Sequence, residues 1–179
     1  MEIMNPRHEI ILSEKQIKER IFELGSQITR DYRKKDLVLI GVLKGSLLFF
    51  ADLIRQIRLQ ILTDFVSLSS YEGNEKSSGV VKVINDITLP VENKDVIIVE
   101  DIIDTGTTSE FLIKHLMNKI PKSLKICALL NKKSARGLDI TIDYTGFDVS
   151  DIFLIGYGLD YKEKYRNLPY IAAMEKQAG

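Results

Sequence analysis

Near the middle of the chain the apolar run Val96-Ile97-Ile98-Val99 meets two acids, Glu100 and Asp101, and then the polar stretch Asp104-Thr105-Gly106-Thr107-Thr108. Threonine hydroxyls, a glycine that lets the backbone approach a ligand closely, and the unpaired N–H groups of a helix start together make a cradle for a phosphate monoester. Glu100 and Asp101 stand at the end of the apolar run, where they can bind sugar hydroxyls or a hydrated Mg²⁺. Acids ahead of a helix often serve only as caps and dipole partners, and for Asp104 alone that would suffice. Three acids, three threonines and a glycine between an apolar strand and an amphipathic helix exceed what capping needs. A second group, Leu43-Lys44-Gly45, sets a cation beside a glycine at the end of another apolar run. That pairing suits pyrophosphate, held by backbone and charge together, although a surface lysine at a helix entry is the plainer reading. Lys132, Lys133 and Arg136 follow a third such run, so at least one can point into a crevice at its end.

The elements that must position these groups can be read from periodicity. Ser13-Glu14-Lys15-Gln16 has capping-box spacing, and Ile17, Ile21, Leu24 and Ile28 recur at helical intervals after it. Leu37 to Val42 is a short β-branched run that reads as a strand covered on both faces, which implies a parallel sheet. A helix over about 46–57, a strand over 62–70 and a strand over 80–84 follow. The strand 96–99 comes next, introduced by the turn-like Glu92-Asn93-Lys94-Asp95, then a helix over about 107–119 and a buried strand over 124–130. Ile152-Phe153-Leu154-Ile155 reads as one more strand, in which an aromatic is more often core than a platform for a ligand. The polar, glycine-bearing segment 72–79 reads as a loop between two strands. Strand, helix, strand, helix, strand predicts a doubly wound α/β domain with its ligand site beyond the carboxyl ends of the strands.

The 179 residues fit a single domain, with 45% apolar and 28% charged residues in the range of globular proteins. Lys plus Arg equals Asp plus Glu, so no global field draws the chain to nucleic acid or to an anionic membrane, and any polyanion must be met locally. The lone cysteine, Cys127, lies among apolar residues and reads as a small buried hydrophobe. No apolar run approaches the length of a membrane span, and a cytoplasmic location is expected. His8 and His115 carry no expected role beyond structure.

The segment Val99-Glu100-Asp101-Ile102-Ile103-Asp104-Thr105-Gly106 closely resembles the phosphoribosyl-pyrophosphate signature of the type I phosphoribosyltransferases, in the form found in their hypoxanthine-guanine branch. Gly41 to Ser46, Ser69-Ser70-Tyr71, Leu129 to Lys133, Gly156 to Tyr161 and Tyr165-Arg166-Asn167-Leu168 resemble that family's landmarks in its order, over residues 11–171. The resemblance implies an α/β fold with a mostly parallel central sheet flanked by helices, a small hood made by the terminal segments and a flap near 70–80. It implies transfer of the 5-phosphoribosyl group from phosphoribosyl pyrophosphate to hypoxanthine or guanine, with Mg²⁺ as cofactor and homodimers or homotetramers as the usual assembly. Asp104 would be the general base, and 104–108 the 5′-phosphate loop. Lys44, Gly45 and Arg166 would hold pyrophosphate, commonly with a cis peptide at Leu43-Lys44, and Arg136 is a weaker candidate there. Lys132 would donate to the purine O6, Phe153 would stack on the base, and the main chain of Leu154 would bond its edge. Asp160 would lie near the purine C2 substituent and share Mg²⁺ with Glu100 and Asp101. Ser70 and Tyr71 would sit on the flap. Asn131 and Thr107 depart mildly from the pattern.

Two other readings compete. Asp104-Thr105-Gly106 after apolar residues is also the tripeptide of half-domain aspartic proteases, but that chemistry needs two such loops in an all-β shell, and here a helix should follow. A non-catalytic regulator on the same fold would bind nucleotide and turn another face to nucleic acid. Balanced charge and the joint presence of Asp104, Lys132 and Asp160 favour an enzyme.

Overall fold

The computed structural model describes residues 8–70, 81–132 and 140–174. Its larger sheet has six strands: β2 (Leu37–Leu43), β3 (Leu62–Ser70), β4 (Val81–Asn85), β5 (Asp95–Ile103), β6 (Ser123–Asn131) and β7 (Tyr144–Asp148), in the order β4-β3-β2-β5-β6-β7. All neighbours pair in parallel except β3 and β4. The smaller sheet joins β1 (His8–Leu12), β9 (Ile171–Met174) and β8 (Leu154–Ile155) in antiparallel order β1-β9-β8, and is the hood of terminal segments that the sequence implied.

Three helices cover the larger sheet: α1 (Glu14–Asp31), α2 (Leu47–Gln56) and α3 (Thr107–Met117). The continuous apolar runs of β2, β5 and β6 make sense because alternate residues serve opposite faces. Leu37, Leu39, Ile97, Val99, Cys127 and Leu129 pack with Ile17, Ile21, Leu24 and Ile28 of α1 and with Phe49, Phe50 and Leu53 of α2. Val38, Ile40, Val96, Ile98, Ile126 and Ala128 pack on the other face with Leu112 and Leu116 of α3. The sheet is therefore wound on both sides, as expected. Cys127 is fully buried, and burial pushes its thiol pKa up, which keeps it inert.

Local sequence accounts for the ends of these elements. Ser13 Oγ accepts the Gln16 N–H at 3.4 Å while Gln16 Oε1 accepts the Ser13 N–H at 2.9 Å, closing the capping box that opens α1. Gly25 lets α1 lie against the end of α2, since a Cβ there would fall 2.4 Å from Gln56 Cβ. α3 ends at Met117, short of the expected 119, with Asn118 as its C-cap. The strand expected over 152–155 shrinks to Leu154–Ile155, because only these two residues pair with β9, leaving Phe153 outside the ladder and exposed. β1, β7 and β9 are only four or five residues long and lack the long β-branched runs of the buried strands; β7 gains its place by pairing with β6. His115 Nε2 lies 3.0 Å from Asp86 Oδ1 and His8 Nε2 lies 2.9 Å from Tyr170 Oη, structural contacts in keeping with the expectation for both.

Candidate active site

From β2 the chain proceeds to β3 on one side, and later returns to place β5 on the other, so the connections diverge above the carboxyl ends of β2 and β5. A crevice at such a point is where open α/β sheets bind ligands. Here a cleft of about 210 Å³ is lined by Val42 and Leu43 at the end of β2 with Gly45 beyond it, and by residues 100–106, Thr108 and Ser109 from the end of β5 into α3. Gly45 and the loop Asp104-Thr105-Gly106 with Thr108, far apart in sequence, thus line one cleft.

The loop 104–106 forms because β5 ends in a tight turn into α3. Gly106, the N-cap, takes a left-handed φ of 89° and offers no side-chain cap to the first-turn N–H groups. The start of the helix lines the cleft through Gly106, Thr108 and Ser109, beside Thr105, whose hydroxyl lies 3.2 Å from that of Thr107.

Glu100 is buried at 4% exposure and accepts a hydrogen bond from Ser109 Oγ at 2.7 Å. Burial raises its pKa to about 7 against the lowering effect of that bond. Burial likewise raises Asp101 to about 6, opposed by main-chain N–H groups and by the Arg166 guanidinium. The Asp101 carboxylate fills the space over Gly45, where a Cβ would come within 1.9 Å of Asp101 Oδ2, so any side chain at 45 would push that carboxylate aside. Behind Gly45 stands Gly158, at φ +100°, whose missing Cβ would meet the Gly45 carbonyl oxygen at 2.0 Å.

The Leu43-Lys44 peptide is cis, as the resemblance implied. Lys44 Nζ donates to Glu163 Oε2 at 3.1 Å, and Arg166 reaches the same oxygen at 3.3 Å. These two cations hold the Glu163 carboxyl below its ordinary pKa. Arg166 also donates to the Gly158 carbonyl at 2.7 Å and pairs with Asp160 Oδ1 at 2.8 Å, while its buried Nε has no partner among the described residues. Asp160 Oδ2 accepts the Glu163 N–H at 2.9 Å. Lys44, Arg166 and Asp160 are therefore one cluster rather than three separate sites.

Lys132, at 8% exposure, places Nζ 3.0 Å from Asp104 Oδ2 and 3.4 Å from Asp151 Oδ1. Phe153 stands two residues beyond Asp151, its ring in a T-shaped contact with Tyr161 at 5.7 Å between centroids. Leu154 is buried in β8, opposite Ala173. Ser70 ends β3 opposite Val81, whereas Tyr71, Lys133, Arg136 and most of the expected flap lie outside the described residues. Ser109, Asp151 and Glu163 were missed by sequence reasoning. Glu163 had the signal of standing three residues before Arg166, but the partners of the other two arise only from folding.

No group of three or more His, Cys, Asp or Glu side chains able to cage a metal occurs among the described residues. Mg²⁺ does not need a cage, since it keeps waters and takes one or two carboxylates plus substrate phosphate oxygens. Asp101 and Asp160, near enough to influence one another, fit that manner of binding. Glu100 is turned to Ser109.

Comparison with known proteins bears on this geometry. Residues 8–162 match the family model described as the phosphoribosyl transferase domain. The hypoxanthine-guanine phosphoribosyltransferase of Dictyostelium discoideum is 45% identical over 173 residues, covering 94% of this chain and 96% of that one. A hypoxanthine phosphoribosyltransferase crystal structure from Staphylococcus aureus superposes with a TM-score of 0.90 at 44% identity, covering 98% of each chain. The hypoxanthine phosphoribosyltransferase from Trypanosoma cruzi, solved in complex with the product IMP, gives a TM-score of 0.89 at 35% identity over the whole of both chains.

Proposed function

Because the chain belongs to the phosphoribosyltransferase family, in its hypoxanthine-guanine branch, we propose that it salvages purines, transferring the 5-phosphoribosyl group of phosphoribosyl pyrophosphate to hypoxanthine and guanine to give IMP and GMP plus pyrophosphate. The observation that carries this reading is the pairing of Lys132 with Asp104 at the edge of the phosphate cradle, at 3.0 Å. Purine O6 and N7 lie on one edge of the base. An amine and a carboxylate side by side can read that edge together, the amine donating to O6 and the carboxylate accepting from N7–H. Adenine would set its 6-amino group against the Lys132 ammonium, donor against donor.

In this reading a purine ring nitrogen attacks ribose C1′ as the bond to pyrophosphate breaks, with positive charge developing on the sugar and negative charge on the leaving group. Asp104 takes or shares the N7 proton, while the N–H groups and hydroxyls of 105–108 hold the 5′-phosphate in place. Lys44, the Gly45 backbone and Arg166 stabilise the departing pyrophosphate. Asp101 and Asp160 are the residues that would hold Mg²⁺, and Glu100 completes the ribose side. When bound, the ion supplies charge neutralisation to pyrophosphate. Phe153 stacks on the base, the main chain of Leu154 bonds its edge, and Ser70-Tyr71 open the flap that covers the reacting atoms. We take the whole chain as one phosphoribosyltransferase domain.

No described helix is long and apolar enough to cross a membrane. A cytoplasmic place, and a homodimer or homotetramer with no nucleic-acid partner, complete the proposal. Asp104-Thr105-Gly106 lies between a parallel strand and a helix, which removes the protease reading. The test is direct: with Mg²⁺, phosphoribosyl pyrophosphate and hypoxanthine, IMP and pyrophosphate must appear in equal amounts. Nucleotide binding without turnover would favour a regulator.

A further inference from the structure

We infer that Asp151 is a positioning residue for Lys132, and through it a determinant of 6-oxopurine binding. The inference rests on the reading of Lys132 as the group that donates to O6. Lys132 is buried at 8% exposure and its ammonium meets two carboxylates, Asp104 at 3.0 Å and Asp151 at 3.4 Å. A buried ammonium is costly unless paired. Asp104 cannot remain its partner throughout the reaction, because it must turn to N7–H and lose its negative charge as it takes the proton. Asp151 lies outside that chemistry and keeps its charge, so the ammonium stays balanced while it lets go of Asp104 and donates to O6.

The position of Asp151 adds a second function to the contact. It precedes Phe153 by two residues, on the segment that leaves β7 for β8. Asn131 Nδ2 donates to Asp148 Oδ1 at 2.6 Å, and the Val149 N–H bonds the Asn131 carbonyl at 3.0 Å. Consecutive residues at the end of β6, Asn131 and Lys132, thus grip the same segment at Asp148 and at Asp151. The Lys132–Asp151 contact fixes the distance between the amine that reads O6 and the ring proposed to stack on the base. Among the described residues Asp151 itself pairs with Lys132 and not with residues 105–108 or the Lys44–Arg166 cluster.

Steady-state kinetics of wild type, D151N, D151E, K132Q and the double variant D151N/K132Q test this. D151N is expected to raise KM for hypoxanthine and guanine about three- to tenfold, a range held low because Asp151 is largely exposed. KM for phosphoribosyl pyrophosphate should stay unchanged, D151E should restore base KM, and D151N should add nothing once Lys132 is Gln. A merely structural loss would instead raise both KM values and lower Tm, and would overturn the inference. Base KM unchanged in D151N, with K132Q strongly impaired, would overturn the inference and leave the Lys132 reading intact. An unimpaired K132Q would overturn both.

Discussion

Lys132 Nζ and Asp104 Oδ2 stand 3.0 Å apart because β5 and β6 run in parallel register and the Lys132 N–H extends their ladder to the Ile103 carbonyl at 3.0 Å. The two strands therefore end at one height, and the residues that follow them meet. One reads as the base of the reaction and the other as the reader of the substrate edge, and their contact lets each be tested through the other.

Asp104→Asn removes the proton acceptor but keeps the size of the side chain. Turnover is expected to fall about 10²-fold or more, while binding of IMP, measured by calorimetry, changes little. Unchanged turnover would remove Asp104 from the catalytic step.

Lys132→Gln replaces an obligate donor by an amide that can present either a donor or an acceptor to position 6. The kcat/KM for hypoxanthine should drop about 10²-fold, with adenine gaining relative to it. A uniform loss on both bases would point to a role in phosphate binding instead.

Much of this site is visible in the sequence because local chemistry fixes it. Val96 to Thr108 contains strand, acids, turn and helix start in one stretch, and the buried β2, β5 and β6 declare themselves by unbroken β-branched runs. β7 is Tyr-Thr-Gly-Phe-Asp, an edge strand held by pairing with β6 and by Arg20 of α1, which donates to the Thr145 and Gly146 carbonyls, and its central glycine interrupts the strand-favouring Tyr, Thr and Phe. The strand expected over 152–155 is limited to Leu154–Ile155, although the Phe153 carbonyl still accepts the Met174 N–H of β9 at 3.0 Å. Contacts such as Lys132 with Asp151, or Glu163 with Lys44, join residues that only the tertiary fold brings together. Glu163 itself sits at φ 60°, which pattern reading does not anticipate.

Burial raises Glu100 from 4.5 to about 7 and Asp101 from 3.8 to about 6. Between these bounds the folded chain binds more protons than the unfolded one, so stability must fall as pH rises through that window. Carboxylates lowered by folding, such as Asp86 at about 2, change stability only at more acid pH. Thermal melts of the ligand-free protein should therefore show Tm declining from pH 5 to 7.5. Glu100→Gln should remove a large part of the decline. An identical pH profile for the variant would contradict the burial argument.

Gly45→Ala sets a methyl group against the Asp101 carboxylate, which must move aside. Displacing a site carboxylate by about an ångström is expected to cost about 10²-fold in kcat/KM for phosphoribosyl pyrophosphate. Binding of the free purine should be far less affected. Full activity would mean that Asp101 has no role over this loop.

The most direct test is pyrophosphate release from phosphoribosyl pyrophosphate with Mg²⁺, with hypoxanthine, guanine, xanthine and adenine compared side by side. Rapid release with hypoxanthine or guanine and none with adenine is the expected result, since the Lys132–Asp104 pair matches an O6/N7–H edge. Release with adenine at a comparable rate, or with none of the four bases, would contradict it.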